Sequence, residues 1–184
     1  MRNMLFFVLA LLLLCGCGIF QKEPYIKVSY FDIGSPAAQD IGGKPVLVGG
    51  VDASRPYLEK MVFRVSENRI EIDEYNRWSC SSADMLQKYL SLAYETSASN
   101  EKLPVCLLKV EIFQLEADLS KSSVKLVVQA SIEDRSSGKI LIRKTYSEEI
   151  PVGKVTGESF AKGIAAAAAK ILEQLTADIR KSNP

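Results

Sequence analysis

Two runs in the second half of the chain, "VCLLKVEIFQLEAD" (105–118) and "SVKLVVQASIED" (123–134), alternate apolar and polar residues over more than ten positions. A period of two fits only an extended strand, because successive side chains then point to opposite faces. The first run places Cys106, Leu108, Val110 and Ile112 on one face, and the second does the same for Val124, Leu126, Val128, Ala130 and Ile132. Residues Asp118 to Lys121 can turn between the two, and "DRSSGK" can turn into a third strand from Ile140 to about Tyr146. The result is an antiparallel meander with one apolar face that something else must cover.

The remaining patterns supply the cover and the rest of the sheet. Tyr25, Lys27, Ser29 and Phe31 interleave with Ile26, Val28 and Tyr30 as in a strand, and "KPVLVGGVD" is a second short apolar run that Gly49 and Gly50 end or bulge. Met61, Phe63 and Val65 lead through "SENR" to Ile70 and Ile72, the pattern of a hairpin. Ser81 and Asp84 then form a capping box, after which Met85, Leu86, Tyr89, Leu90 and Ala93 recur at helical spacing. A longer helix from about Thr156 carries Phe160, Ile164, Ala168, Ile171, Leu172, Leu175 and Ile179 in one stripe. Lys162 and Lys170 bracket the alanine run Ala165 to Ala169, so it reads as a close helix-to-sheet contact rather than a membrane segment. The expectation is an α+β fold: a two-layer sandwich, mostly antiparallel, with two helices on one face.

The chain opens with Arg2, an unbroken apolar run from Leu5 to Leu14, and then "CGCG". A bilayer span needs roughly 20 apolar residues, twice what this run offers, so the plan is that of an export signal. Cys15 and Cys17 lack C-x-x-C spacing and the chain has no histidine, which argues against a metal or redox pair. Leu14, Cys15, Gly16 and Cys17 resemble the lipobox of bacterial lipoproteins. That resemblance implies a signal peptide over residues 1–16 and a mature chain starting at Cys17, which would carry a diacylglyceryl thioether and an N-acyl chain. Several acyl chains together hold a protein stably on a membrane, where one alone is marginal. Residues 17–24 then form a tether of about 25 Å at most, and 25–184 a single domain. Gly18 rather than Asp after the lipidated cysteine favours the outer membrane.

Charge excludes some partners. The precursor has 23 Lys and Arg against 22 Asp and Glu, and losing Arg2 leaves 22 against 22. Such a chain has no basic face for nucleic acid. In an oxidising periplasm Cys80 and Cys106 can form a disulfide contributing about 3 kcal/mol, or Cys106 can be a small buried apolar side chain in its strand; both readings stand.

The residues offer little catalytic chemistry. "SFAK" (159–162) matches the S-x-x-K of serine acyltransferases, but S-D-N and K-T-G are absent and Ser159 also suits a first helical turn. No phosphate-binding glycine loop occurs, and without histidine neither a Ser/His/Asp nor a Cys/His site can be built. Glu71, Asp73 and Glu74 read as the solvated face of a strand. No catalytic residue, metal or cofactor is expected. Trp78, the single tryptophan, stands beside Tyr75 and Arg77 between a strand end and a helix start. It is either a core plug under the first helix or, with its neighbours, a contact for a partner or lipid.

Around that point the sequence resembles the ABC-type transport auxiliary lipoproteins, which include the PqiC type. The likeness covers most of the mature chain and rests on the lipobox, an early Tyr strand, "RPYLEKMVFRVSENRIEIDEYNRW", an amphipathic helix, the meander and the final helix. Members often carry proline after the tryptophan, where this chain has Ser79, Cys80, Ser81 and Ser82. The resemblance implies a non-catalytic component of an MCE-type lipid transport system, with an MCE-domain protein and an ABC permease and ATPase as partners. It implies a place in the bacterial cell envelope, at the outer membrane facing the periplasm, with a homo-oligomer open. Cys17 would be the anchor, and Tyr75, Arg77 and Trp78 a structural or docking signature. A scaffold lipoprotein for outer-membrane assembly, independent of any transporter, shares the same anchor and fold.

Overall fold

The computed structural model describes residues 25–41, 45–98 and 106–182, so Cys15, Cys17 and the tether lie outside the described residues. The chain order is β1 (Ser29–Phe31), β2 (Val46–Ala53), β3 (Lys60–Ser66), β4 (Arg69–Trp78), α1 (Ser82–Ala98), β5 (Cys106–Asp118), β6 (Ser123–Asp134), β7 (Ile140–Pro151) and α2 (Gly157–Lys181). One seven-stranded sheet runs β1-β4-β3-β5-β6-β7, with β2 also paired to β5. The fold class is α+β.

The meander forms as its alternation requires: β5 and β6 pair antiparallel from Cys106↔Asp134 to Asp118↔Ser123, and β6 and β7 from Ser123↔Pro151 to Glu133↔Ile140. A bulge at Phe113 shifts the register between Ile112 and Gln114. It reverses the inward parity, so that Cys106, Leu108, Val110 and Ile112 before it and Leu115 and Ala117 after it are buried. Strict alternation would have turned Glu116 and Asp118 into the apolar core; the extra residue sends them to the other face. The third strand runs on to Pro151, beyond the expected Tyr146, while β1 is only three residues long.

The sheet is mixed, with most of its paired residues antiparallel as expected. β1–β4, β2–β5 and β3–β5 are parallel. The hairpin β3–β4 and the meander are antiparallel. The crossover through α1 lets β5 return parallel to β3, as any parallel pair requires. β2 and β3 share one edge of β5, β2 along residues 106–112 and β3 at 117–118. Between them residues 54–59 leave the sheet and meet the start of α1, where the Ser82 N–H donates to Leu58 O at 2.9 Å. The expected irregularity at Gly49 and Gly50 is a register shift in β2.

Both helices and the sheet contribute to one core. The α1 residues Met85, Leu86, Tyr89, Leu90 and Ala93 are buried, as is the whole predicted α2 stripe. Tyr94 and Thr176 hydroxyls meet at 3.2 Å, joining the helices directly. Ser81 caps α1 through its Oγ, which accepts from Asp84 N at 3.0 Å. Thr156 and Ser159 form a reciprocal capping box at α2. In the alanine run Ala167 and Ala168 are buried, and a Cβ at Gly163 would lie 2.4 Å from Val124 Cγ2, so helix and sheet meet almost backbone to side chain here. Cys106 is fully buried in β5 and Cys80 is exposed, and no disulfide joins them.

Candidate functional site

The strand that carries Tyr75, Arg77 and Trp78 is shaped by Asp73. Its Oδ1 accepts from the backbone N–H groups of Tyr75 (2.7 Å) and Asn76 (3.0 Å), and its Oδ2 accepts from Asn76 Nδ2 (2.7 Å). This side chain-to-backbone turn interrupts the ladder, so that Val62 pairs with Ile72 but Lys60 already pairs with Arg77. Partial burial pushes the Asp73 carboxyl up, but the three hydrogen bonds outweigh it and hold the group below its ordinary value. The charged form is the one that organises the turn.

Beyond the turn, Trp78 and Asn76 face the helices and Arg77 and Tyr75 face away. Trp78 is 2 % exposed and sits edge-on to Phe160 at 5.3 Å, with Phe160 in turn 5.5 Å from Phe63. The tryptophan is therefore a core plug, but under α2 rather than under the first helix, because α2 starts directly over this strand. Gly157 allows that approach: a Cβ there would lie 2.8 Å from Asn76 Oδ1 and 2.9 Å from Phe31 Cε2. The indole Nε1 and Arg77 Nε are both buried without a hydrogen-bond partner.

On the outward face Arg77 lies between Tyr30 of β1 and Lys60 of β3. Tyr30 and Tyr75 are 64 % and 49 % exposed, and Ile70, Ile72 and Leu58 are exposed too. Pro56, Leu58 and Ile72 line a shallow depression of about 440 Å³ with Arg55, Glu59 and Lys60 at its rim. Glu74 is held by Lys60 at 2.7 Å and Glu71 by Arg69, so both glutamates of the strand are engaged in ion pairs. The three signature residues thus split by parity: Trp78 is in the core, while on the outward side Tyr75 is exposed and Arg77 half-buried.

A second cluster lies on the same outward face and gave no sequence signal beyond one Glu in an alternating strand. Glu116 is 2 % exposed; it accepts from Tyr57 OH and Arg64 Nη2, both at 2.9 Å, from Gln114 Nε2 at 2.6 Å, and from Arg64 Nε. Burial alone would raise its pKa, but the bonds from Arg64, Tyr57 and Gln114 keep it below the usual 4.5. Burial, reinforced by the hydrogen bond to Glu116, pushes Tyr57 up to about 12. Every oxygen of this carboxylate is spoken for, which is the pattern of a fastening rather than of an acid or base.

The serine and lysine of the S-x-x-K pattern have different partners. Ser159 Oγ donates to Lys154 O at 2.8 Å and accepts from Thr156 N at 2.8 Å, while Lys162 Nζ binds Glu158 Oε1 at 2.6 Å. The hydroxyl and the ammonium serve the helix start separately. Among the described residues no group of His, Cys, Asp or Glu could hold a metal ion, and no helix is long and apolar enough to cross a membrane.

The described residues form a small α+β domain whose outward carboxylates Glu71, Asp73, Glu74 and Glu116 are all engaged by neighbouring groups. Residues 34–180 match the family model of the ABC-type transport auxiliary lipoprotein component, and the chain belongs to that family. Its fold is shared by the crystal structure of a Xanthomonas campestris protein of the DUF330 family, 14 % identical, with a TM-score of 0.69 over 80 % of this chain and 92 % of that one. A second crystal structure, of an uncharacterized protein, is 14 % identical with a TM-score of 0.70 over 83 % and 99 %. No curated protein matches the chain.

Proposed function

We propose that this chain is a non-catalytic lipoprotein that serves an MCE-type lipid transport system, held by acylated Cys17 at the outer membrane and facing the periplasm. The observation that carries the reading is the family match across residues 34–180. Tyr75 and Arg77 support it, since they stand outward beside Tyr30 on a partly apolar surface while Trp78 anchors the strand behind them. In this reading the surface receives the MCE-domain protein or the permease and ATPase assembly, as aromatic and Arg side chains are favoured interface anchors.

Crosslinking in native membranes followed by mass spectrometry tests it. Recovery of an MCE-domain protein is expected; recovery of only outer-membrane assembly proteins overturns the transporter reading. The anchor has its own test. Cys17→Ala is expected to move the folded domain to the soluble fraction, and retention in the membrane fraction overturns lipidation at Cys17.

A further inference from the structure

The sheet ends at β7, whose outer edge has no strand partner among the described residues. Along this edge the sequence reads Ile142, Arg143, Lys144, Thr145, Tyr146, Ser147, Glu148, Glu149, Ile150. A two-fold axis through Tyr146 makes that order self-complementary in the antiparallel sense. Arg143 would lie opposite Glu149 of a second copy, Lys144 opposite Glu148, Thr145 opposite Ser147, and Ile142 opposite Ile150. We propose that β7 is an isologous interface, at which two copies of this chain pair edge to edge into one continuous sheet.

The faces of the strand agree with this pairing. Tyr146 lies under α2, its hydroxyl donating to Asp178 at 2.9 Å, so Lys144 and Glu148 share the helix side. There Lys144 Nζ meets Asp178 at 2.7 Å and Glu148 meets Lys170 at 3.8 Å. Joining two copies builds an alternating row, Asp178, Lys144, then Glu148 and Lys170 of the second copy, so Lys144 and Glu148 each have an opposite charge on both sides. On the other side Arg143 and Glu149 are exposed. Arg143 has no ion-pair partner among the described residues, and the pairing supplies one.

Charges also serve to blunt an edge, but blunting needs no particular order. The part of β4 that β1 leaves unpaired shows the contrast: folded on itself about Ile72 it sets Glu71 against Asp73, like charge against like. On β7, Pro151 offers no N–H and ends the ladder just past Ile150. An isologous contact also closes at two copies, leaving no open edge of the same kind.

Sedimentation velocity of the full chain in detergent, over a range of concentrations, tests the interface independently of any transporter. A dimer is expected that Arg143→Glu weakens by roughly tenfold or more, since two like-charge pairs replace two opposite ones. Arg143→Glu combined with Glu149→Arg is expected to restore it, and circular dichroism is expected to show all variants folded. In membranes, Thr145→Cys with Ser147→Cys is expected to form an intermolecular disulfide that the parent chain does not. A monomer at every concentration, a dimer indifferent to Arg143→Glu, a charge swap that fails to rescue, or β7 cysteines that capture only another protein would each overturn the proposal.

Discussion

Glu116 is a carboxylate held out of water on the outward side of β5, and its worth depends on Arg64. Removing that guanidinium leaves a buried charge with only Tyr57 and Gln114 to solvate it. Arg64→Ala is expected to cost about 3 kcal/mol in urea unfolding near pH 7. The sign of its pH dependence follows from linkage. In the native protein the carboxyl lies below its ordinary 4.5, so the stability it contributes is present above that value and lost as pH falls through the native one. Without Arg64, burial dominates and the native value rises, so protonation relieves the variant. The gap between the two proteins is therefore expected to narrow from about pH 7 to about pH 3.5; a constant gap would show that Arg64 acts by packing alone. The signature residues separate in the same measurement. Trp78→Ala is expected to cost about 4 kcal/mol, because it empties the space against Phe160. Tyr75→Ala, at an exposed site, is expected to change stability by less than about 0.5 kcal/mol. A large loss with Tyr75→Ala would make it a structural residue and remove it from the proposed contact surface.

At the scale of elements, the final helix shows most directly how local preference yields to packing. Alanine is a better helix former than glycine by up to about 1 kcal/mol, yet a Cβ at Gly163 would press on the branched side chains of Val124 and Val152. Gly163→Ala is expected to destabilise by about 1 to 3 kcal/mol in spite of its propensity. Adding Val124→Ala is expected to return part of that loss, a coupling that a double-mutant cycle reads directly. Elements with a strong period are legible in the amino-acid order: the meander, both helix stripes, the Ser81 cap and the start of α2 at Thr156. Those set by single irregular residues are not. The bulge at Phe113 and the Asp73 turn are each a local break in alternation, and one apolar Phe or one Asp inside a strand carries no signature of such a break until its partner strand is in place.

For the whole molecule, the core rests on apolar burial between two helices and one sheet, with no covalent link between Cys80 and Cys106. Reductant is therefore expected to leave the urea midpoint unchanged. A loss near 3 kcal/mol on reduction would instead reveal a bridge that rearranges the segment around Cys80.

The sequence by itself determined the α+β class, the two helical stripes, the meander, the family resemblance and the absence of histidine chemistry, because each of these rests on residue types and short-range period. Only the tertiary structure decided the mixed pairing of the sheet, the placement of Trp78 under α2, the fastening of Glu116 by Arg64 and Tyr57, and the place of β7 at the end of the sheet among the described residues. Those depend on which distant segments meet. Period says which face of an element is buried; it does not say what buries it.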